Sequence, residues 1–348
     1  MTTSPLLAYP LPVPPAAPAL LEVRGLSVAF AGHAAVHDLD FSITRGETLA
    51  LVGESGCGKS ATALALMRLL PVEACMQAAH IRFDGQDLTR LSERDMRELR
   101  GKRISMIFQE PMSSLNPLLS IGDQISEVLR RHEAMSRRQA RNRVVELLDL
   151  VRVPNAQERY DTYPHQLSGG MRQRVMIAMA VACGPELLIA DEPTTALDVT
   201  IQAQVLELLD SLRRQLSMAV LLITHDLGVV AHWANRVAVM YAGRLVEQSD
   251  ADTLFADPRH PYARGLLDAT VKLDSGQHYL NSRLREIPGS IESARSARGC
   301  AFAPRCAHAI DTCLHAVPAL VQLSASHYAA CPVVTPNAQG GGHALAFG

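Results

Sequence analysis

The sequence predicts an α/β fold: a mainly parallel sheet, a helical insertion and a small cysteine-containing C-terminal extension. Three observations carry this. Short apolar runs at Thr48–Val52, Leu187–Ala190 and Val220–Thr224 read as strands buried on both faces, and helical segments such as Ser60–Leu70 and Ile201–Gln215 alternate with them. The stretch Ile121–Leu150 is rich in Arg, Glu and Leu at helical spacing and holds no strand candidate, so it reads as a helical insertion. Four of the seven cysteines, Cys300, Cys306, Cys313 and Cys331, fall in the last fifty residues.

A chain of 348 residues is long for one average domain and comfortable for two. Hydrophobic residues make up 48% and charged residues 20%, which excludes a mainly disordered chain. The net charge of −2 supplies no field to attract nucleic acid, and 4% aromatics is too few for a base-stacking platform. The apolar run Leu6–Leu21 carries Pro10, Pro12, Pro14, Pro15 and Pro18, which deny it helical hydrogen bonds, so it cannot span a bilayer. It also lacks a basic lead-in, so it is a poor export signal. Residues 1–20 are expected to be a disordered Pro-rich tail in a cytoplasmic protein. The expected main domain is 21–258, with a helical subdomain at about 113–175. Asp257-Pro258 and His260-Pro261 punctuate the start of an extension over 259–348.

Gly53-Glu-Ser55-Gly56-Cys-Gly58-Lys59-Ser60 fits the G-x-x-x-x-G-K-[ST] phosphate loop, and it lies between a strand and a helix as that motif requires. Its backbone N–H groups and the helix start beyond, with Ala61, form an anion cradle. Lys59 is placed to reach the β and γ phosphates of a nucleotide, and the Ser60 hydroxyl to ligate Mg²⁺. Leu187-Leu-Ile-Ala-Asp191-Glu192 is an apolar strand ending in two acids. Asp191 suits the Mg²⁺ shell, and Glu192, one residue on, is placed to polarise an attacking water. Ser168-Gly169-Gly170 precedes the helical stretch Arg172–Ala182 and is a second anion site.

In their order and spacing, the phosphate loop, Leu167-Ser-Gly-Gly-Met171, Asp191-Glu192, Ala196-Leu197-Asp198 and Thr224-His225-Asp226 resemble the ABC-transporter ATPases. The resemblance implies a RecA-like ATPase core with a helical subdomain. It implies that Ser168, Gly169 and Gly170 close over ATP held by another ATPase chain. By position, Gln109 is the glutamine that senses Mg²⁺ and water and links the site to a transmembrane partner. Glu192 is the general base, His225 contacts the γ-phosphate, Asp198 addresses the opposite site, and Phe30 stacks on adenine. Met171 departs from the general signature, which has Gln there; Met also looks usual in the peptide-importer branch.

Gln109-Glu-Pro-Met-Ser-Ser-Leu-Asn-Pro117, Tyr163-Pro-His-Gln-Leu167 and Asp257-Pro-Arg-His-Pro-Tyr262 resemble the oligopeptide/dipeptide importer ATPases, closest to the dipeptide-permease D type. The match runs from about Leu21 to Pro332. That resemblance implies a peripheral subunit on the cytoplasmic face of the cell membrane. Its partners would be two permeases, a substrate-binding protein and a second, similar ATPase.

The spacing C-x5-C-x6-C-x17-C is not a short zinc knuckle. Four thiolates suit zinc or a [4Fe–4S] cluster; buried apolar cysteines or two disulfides are the plainer readings. The resemblance favours the iron–sulfur cluster. Two rival functions stand beside this one. A soluble ABC ATPase of translation or repair would carry two modules or long coiled coils, and this chain has one phosphate loop and no sustained heptads. An exporter ATPase or nucleotide-dependent regulator would lack the His-Pro-Tyr extension. Within importers, nickel or metallophore cargo stays open beside peptides.

Overall fold

The computed structural model describes residues 18–109, 114–195, 197–269 and 287–334. The Pro-rich segment through residue 17, Ala196 and the Gly-rich end lie outside the described residues. The elements follow in order: β1 (Ala19–Phe30), β2 (His33–Thr44), β3 (Thr48–Val52), α1 (Lys59–Leu66), β4 (Ala74–Gln77), β5 (His80–Phe83), β6 (Gln86–Asp87), α2 (Glu93–Leu99) and β7 (Ile104–Ile107). Next come the helices α3 (Ile121–His132), α4 (Arg137–Leu150), α5 (Ala156–Arg159) and α6 (Gly169–Val181). The chain then alternates through β8 (Leu187–Asp191), α7 (Val199–Leu216), β9 (Ala219–Thr224), α8 (Leu227–Trp233), β10 (Arg236–Tyr241) and β11 (Arg244–Asp250). It closes with α9 (Ala251–Ala256), α10 (Pro261–Asp268), α11 (Asp311–His315), β12 (Val321–Gln322) and β13 (Tyr328–Ala329).

Two sheets form. The main one runs β12-β13-β11-β10-β3-β9-β8-β7, and the five strands from β10 to β7 are parallel. Every residue of β3, β8 and β9 is buried, which is why each reads as a continuous apolar run. Their side chains alternate between layers. Leu49, Leu51, Leu187, Ile189, Leu221 and Ile223 pack with the second sheet and α1. Leu188, Ala190, Val220 and Leu222 pack with α3, α4, α6 and α7. The second sheet, β2-β1-β5-β6 with β4 on β1, is antiparallel throughout. It was not singled out in the sequence. β1 begins at Ala19 and buries Leu20, so the expected tail ends at least two residues early: the energy of burying that leucine outweighs disorder there.

Helices α3 and α4 arise from Ser120 and Ser136, each accepting a backbone N–H of the first turn, with a full capping box at Ser136–Gln139. They bury Ile121, Ile125, Leu129, Val144, Leu147 and Leu148 against α6 and leave their Arg and Glu residues outside.

The extension is built onto the main sheet. β13 pairs with β11, and Ala50, Val52, Val239 and Tyr241 share one core with Tyr262, Cys300, Phe302 and Cys313. Glu247 on β11 is fully buried and anchors both ends of the extension. It accepts from the Arg259 and His260 N–H groups and from His327 Nε2, each at 2.7 Å. His260 caps α10, its Nδ1 accepting the Tyr262 N–H, and Pro261 occupies the first helical position. Burial pushes the His260 pKa down to about 3. The unfolded chain therefore binds the extra proton first, so stability is full above about pH 6.5 and falls as pH drops toward 3. Chemical denaturation should show wild type losing up to about 1.4 kcal/mol per pH unit in that window relative to His260→Asn, whose side chain still caps but does not titrate. Parallel pH profiles of the two would refute this.

Candidate nucleotide site

The loop between β3 and α1 curls under β10. A side chain at Gly53 would bring its Cβ within 2.1 Å of the Met240 carbonyl oxygen. At Gly58, φ is +103° and a Cβ would sit 2.4 Å from the Ala35 oxygen, so both positions demand glycine. Lys59 is buried, with its Nζ donating to the Gly53 oxygen at 2.8 Å and the Glu54 oxygen at 3.0 Å. Ser55 and Gly56 are exposed at the loop's tip, and Ser60 and Ala61 are half-buried on α1.

The end of β8 faces this loop. Ser60 Oγ donates to Asp191 Oδ1 at 3.1 Å. Burial raises the Asp191 pKa, and neighbouring Glu192 adds to it, while Ser60 and Lys59 pull the other way. A buried carboxylate beside a hydroxyl is a hard-oxygen pair, so these residues fit Mg²⁺.

Glu192 is the centre of a second cluster. Its Oε2 accepts from Gln109 Nε2 at 3.1 Å and from Thr195 Oγ1 at 2.9 Å. Its Oε1 lies 3.3 Å from His225 Nδ1. Its φ is +45°, in the left-handed region that a β-carbon disfavours, and its N–H is tied to the Ile223 oxygen at 2.9 Å. Neighbouring segments thus hold the carboxylate in one place. Gln109 and His225 are exposed, and Glu192 is mostly covered.

Ser168 caps α6 by accepting the Met171 N–H at 3.3 Å. Ser168 and Gly169 are exposed, and Gly170 sits against Ile201. Asp198 caps α7, accepting the Ile201 N–H at 3.0 Å. Phe30 ends β1, half-buried, and shares a cleft with Gly56, His33 and Arg244.

The cysteine corner is more mixed. Cys300, Cys313 and Cys331 are buried, Cys306 is half-buried, and the Cys300 N–H donates to the Cys313 oxygen at 2.8 Å. Burial raises the pKa of Cys300, Cys306 and Cys331, the last to about 11; nearby backbone N–H groups pull down and the neighbouring cysteines push up by less. The donor chemistry suits a soft, thiolate-bound centre. Among the described residues, however, no three His, Cys, Asp or Glu side chains are placed to hold a metal ion.

Comparison with known proteins supplies the family. The model of the ABC transporter family matches residues 36–195, and that of the oligopeptide/dipeptide transporter C-terminal region matches residues 246–313. A Sinorhizobium fredii protein named "Probable peptide ABC transporter ATP-binding protein y4tR" is 50% identical over 323 residues, covering 91% of this chain and 96% of its own. The oligopeptide transport ATP-binding protein OppD of Bacillus subtilis is 48% identical over 325 residues, covering 92% and 90%. The chain belongs to the ATP-binding subunits of ABC transporters, in the oligopeptide/dipeptide branch. The fold agrees. The cbiO1 subunit of Clostridium perfringens aligns with a TM-score of 0.59 at 27% identity, covering 69% of this chain and 91% of that one. The cassette MJ0796, solved as a dimer bound to ADP and Pi, gives 0.59 at 26% identity, covering 66% and 98%.

Sequence reasoning missed several contacts of this ATPase. Thr195 supports Glu192, and Gln173 Nε2 donates to the Pro193 oxygen from inside α6. Tyr262 and Arg305 touch the phosphate loop from the extension, 208 and 251 residues away in sequence. Only the Thr three residues after Glu192 left a local signal.

Proposed function

We propose that this ATPase drives uptake of short peptides through separate membrane permeases, and that Glu192 is its general base. One observation supports the base assignment above the rest: three side chains from three segments converge on the Glu192 carboxylate beside the phosphate loop. In this reading Lys59 and the loop N–H groups bind the phosphates, with Phe30 against the adenine. Ser60 and Asp191, with Gln109 near, hold Mg²⁺, which when bound neutralises phosphate charge. Glu192 accepts a proton from water as the water oxygen bonds to the γ-phosphorus. The bond to the bridging oxygen breaks, and ADP leaves with its electron pair. His225 orients the carboxylate from its Oε1 side and contacts the γ-phosphate.

The working unit in this reading is a head-to-tail pair of ATPase chains at the cytoplasmic face of the membrane, with two permeases and a substrate-binding protein. The exposure of Ser168 and Gly169 supports it, because an anion site at a helix start facing solvent suits a nucleotide on another chain. Among the described residues no helix is long and apolar enough to cross a membrane, so in this reading separate subunits supply the path. The second ATPase is a similar but distinct chain. Affinity purification of this chain from detergent-solubilised membranes should bring down two permeases and that second ATPase. Full ATPase activity from a verified single chain would contradict the paired site.

The four cysteines hold a [4Fe–4S] cluster in this reading, with zinc as the other candidate. The support is the donor type of all four and the place of Cys300, Cys306 and Cys313 in the matched C-terminal region, which ends at residue 313. Protein purified without oxygen should contain about four irons and four acid-labile sulfides per chain. Replacing Cys300, Cys306, Cys313 or Cys331 by Ser should lower the iron, while Cys57→Ser should not. Stoichiometric zinc without iron would replace the cluster, and neither metal would leave the cysteines structural.

A further inference from the structure

The extension takes hold of the phosphate loop at one residue, Glu54. The Glu54 N–H donates to the Tyr262 hydroxyl at 2.8 Å. Its carboxylate accepts a two-pronged fork from Arg305, Nη1 at 2.8 Å and Nη2 at 3.1 Å. Its carbonyl receives Lys59 Nζ. Every polar group of this residue is therefore tied, two of them to the extension.

The clamp is rigid from behind. Tyr262 is fully buried, with its ring tilted at 58° against that of Tyr241 at 4.6 Å, and Tyr241 meets Phe302 edge-on at 5.2 Å. Arg305 is buried too, with Nε donating to the Pro288 oxygen at 2.7 Å and Nη1 to the Tyr241 hydroxyl at 3.3 Å. In the chain it lies between Cys300 and Cys306, in a tight turn where its own N–H donates to the Phe302 oxygen at 2.9 Å.

Glu54 is the second residue of a loop that must hold a polyanion. A free carboxylate there would repel the phosphates, and the Arg305 fork cancels that charge and turns it toward the extension. Tyr262 fixes the Gly53–Glu54 peptide plane, whose Gly53 carbonyl also accepts from Lys59 Nζ at 2.8 Å. We propose that Tyr262 and Arg305 are positioning residues of the nucleotide site, through which the extension sets the affinity for ATP. This rests on reading the Gly53–Ser60 loop as the ATP site.

The test is binding of a fluorescent ATP analogue to the full-length chain. Arg305→Met should weaken binding about tenfold, a loss on the scale of one charge-assisted contact, and high salt should shrink it because Glu54 is partly exposed. Adding Glu54→Gln to Arg305→Met should recover at least threefold. A clamp that only staples the extension would show no such rescue, because the second change removes nothing that repels. Affinity unchanged in Arg305→Met, or lower still in the double variant, would overturn the proposal. Should Arg305→Met lose its cooperative thermal unfolding, Tyr262→Phe decides. It should unfold cooperatively and bind ATP several-fold more weakly, and unchanged affinity would overturn the proposal. Wild-type chain that bound no ATP would overturn the reading of the loop itself, an outcome distinct from these.

Discussion

Replacing Glu192 by Gln is expected to leave ATP bound and uncleaved, with hydrolysis in the assembled transporter down at least on the order of 10²-fold. The site makes this a clean substitution. The amide oxygen can take the place of Oε2 and keep accepting from Gln109 and Thr195. The amide nitrogen then faces His225 Nδ1, which can accept in one tautomer. Position and hydrogen bonds are kept, and the base is lost. Nucleotide affinity should stay near wild type while phosphate release nearly stops. Hydrolysis at the wild-type rate would remove Glu192 from the role of base.

Lys59→Ala is expected to act on binding first. The ammonium is buried, and its position beside the Gly53 and Glu54 carbonyls puts a full positive charge under the loop. Its removal deletes a charge-assisted contact to phosphate, worth about 1.5–3 kcal/mol, which lowers ATP affinity by a factor on the order of 10–150. Equilibrium titration with ATP separates the two variants: Glu192→Gln binds and does not cleave, Lys59→Ala binds poorly. Equal ATP affinity in Lys59→Ala and wild type would contradict the placing of Lys59 on the phosphates.

The parallel strands were readable because burial on both faces leaves an unbroken apolar run, and Thr48–Val52 matches β3 end to end. Helix ends were less so. The reading to Leu70 overshot α1, which stops at Leu66 and turns at Arg68 with φ +51°. The helix read from Ile201 starts at Val199, because Asp198 supplies the cap. The antiparallel sheet escaped because β1 and β2 pair with repeated register shifts, between Ala19/Leu21 and again between Val23 and Val28, which break the period-2 pattern. The phosphate loop and the two acids after β8 carry local sequence signals, and the structure brings Ser60 to Asp191 as their motifs imply. The hold of the extension on that loop has no local signal. It depends on Tyr262 and Arg305 meeting Glu54 across more than two hundred residues, and only the fold brings them together.

The most direct measurement is uptake of a labelled peptide panel by cells lacking only this chain, complemented with wild type or with Glu192→Gln. Uptake of short peptides is expected to be lost with the chain, to return with wild type and to stay absent with Glu192→Gln. Peptide uptake that is undiminished without the chain, or that Glu192→Gln restores in full, would contradict this.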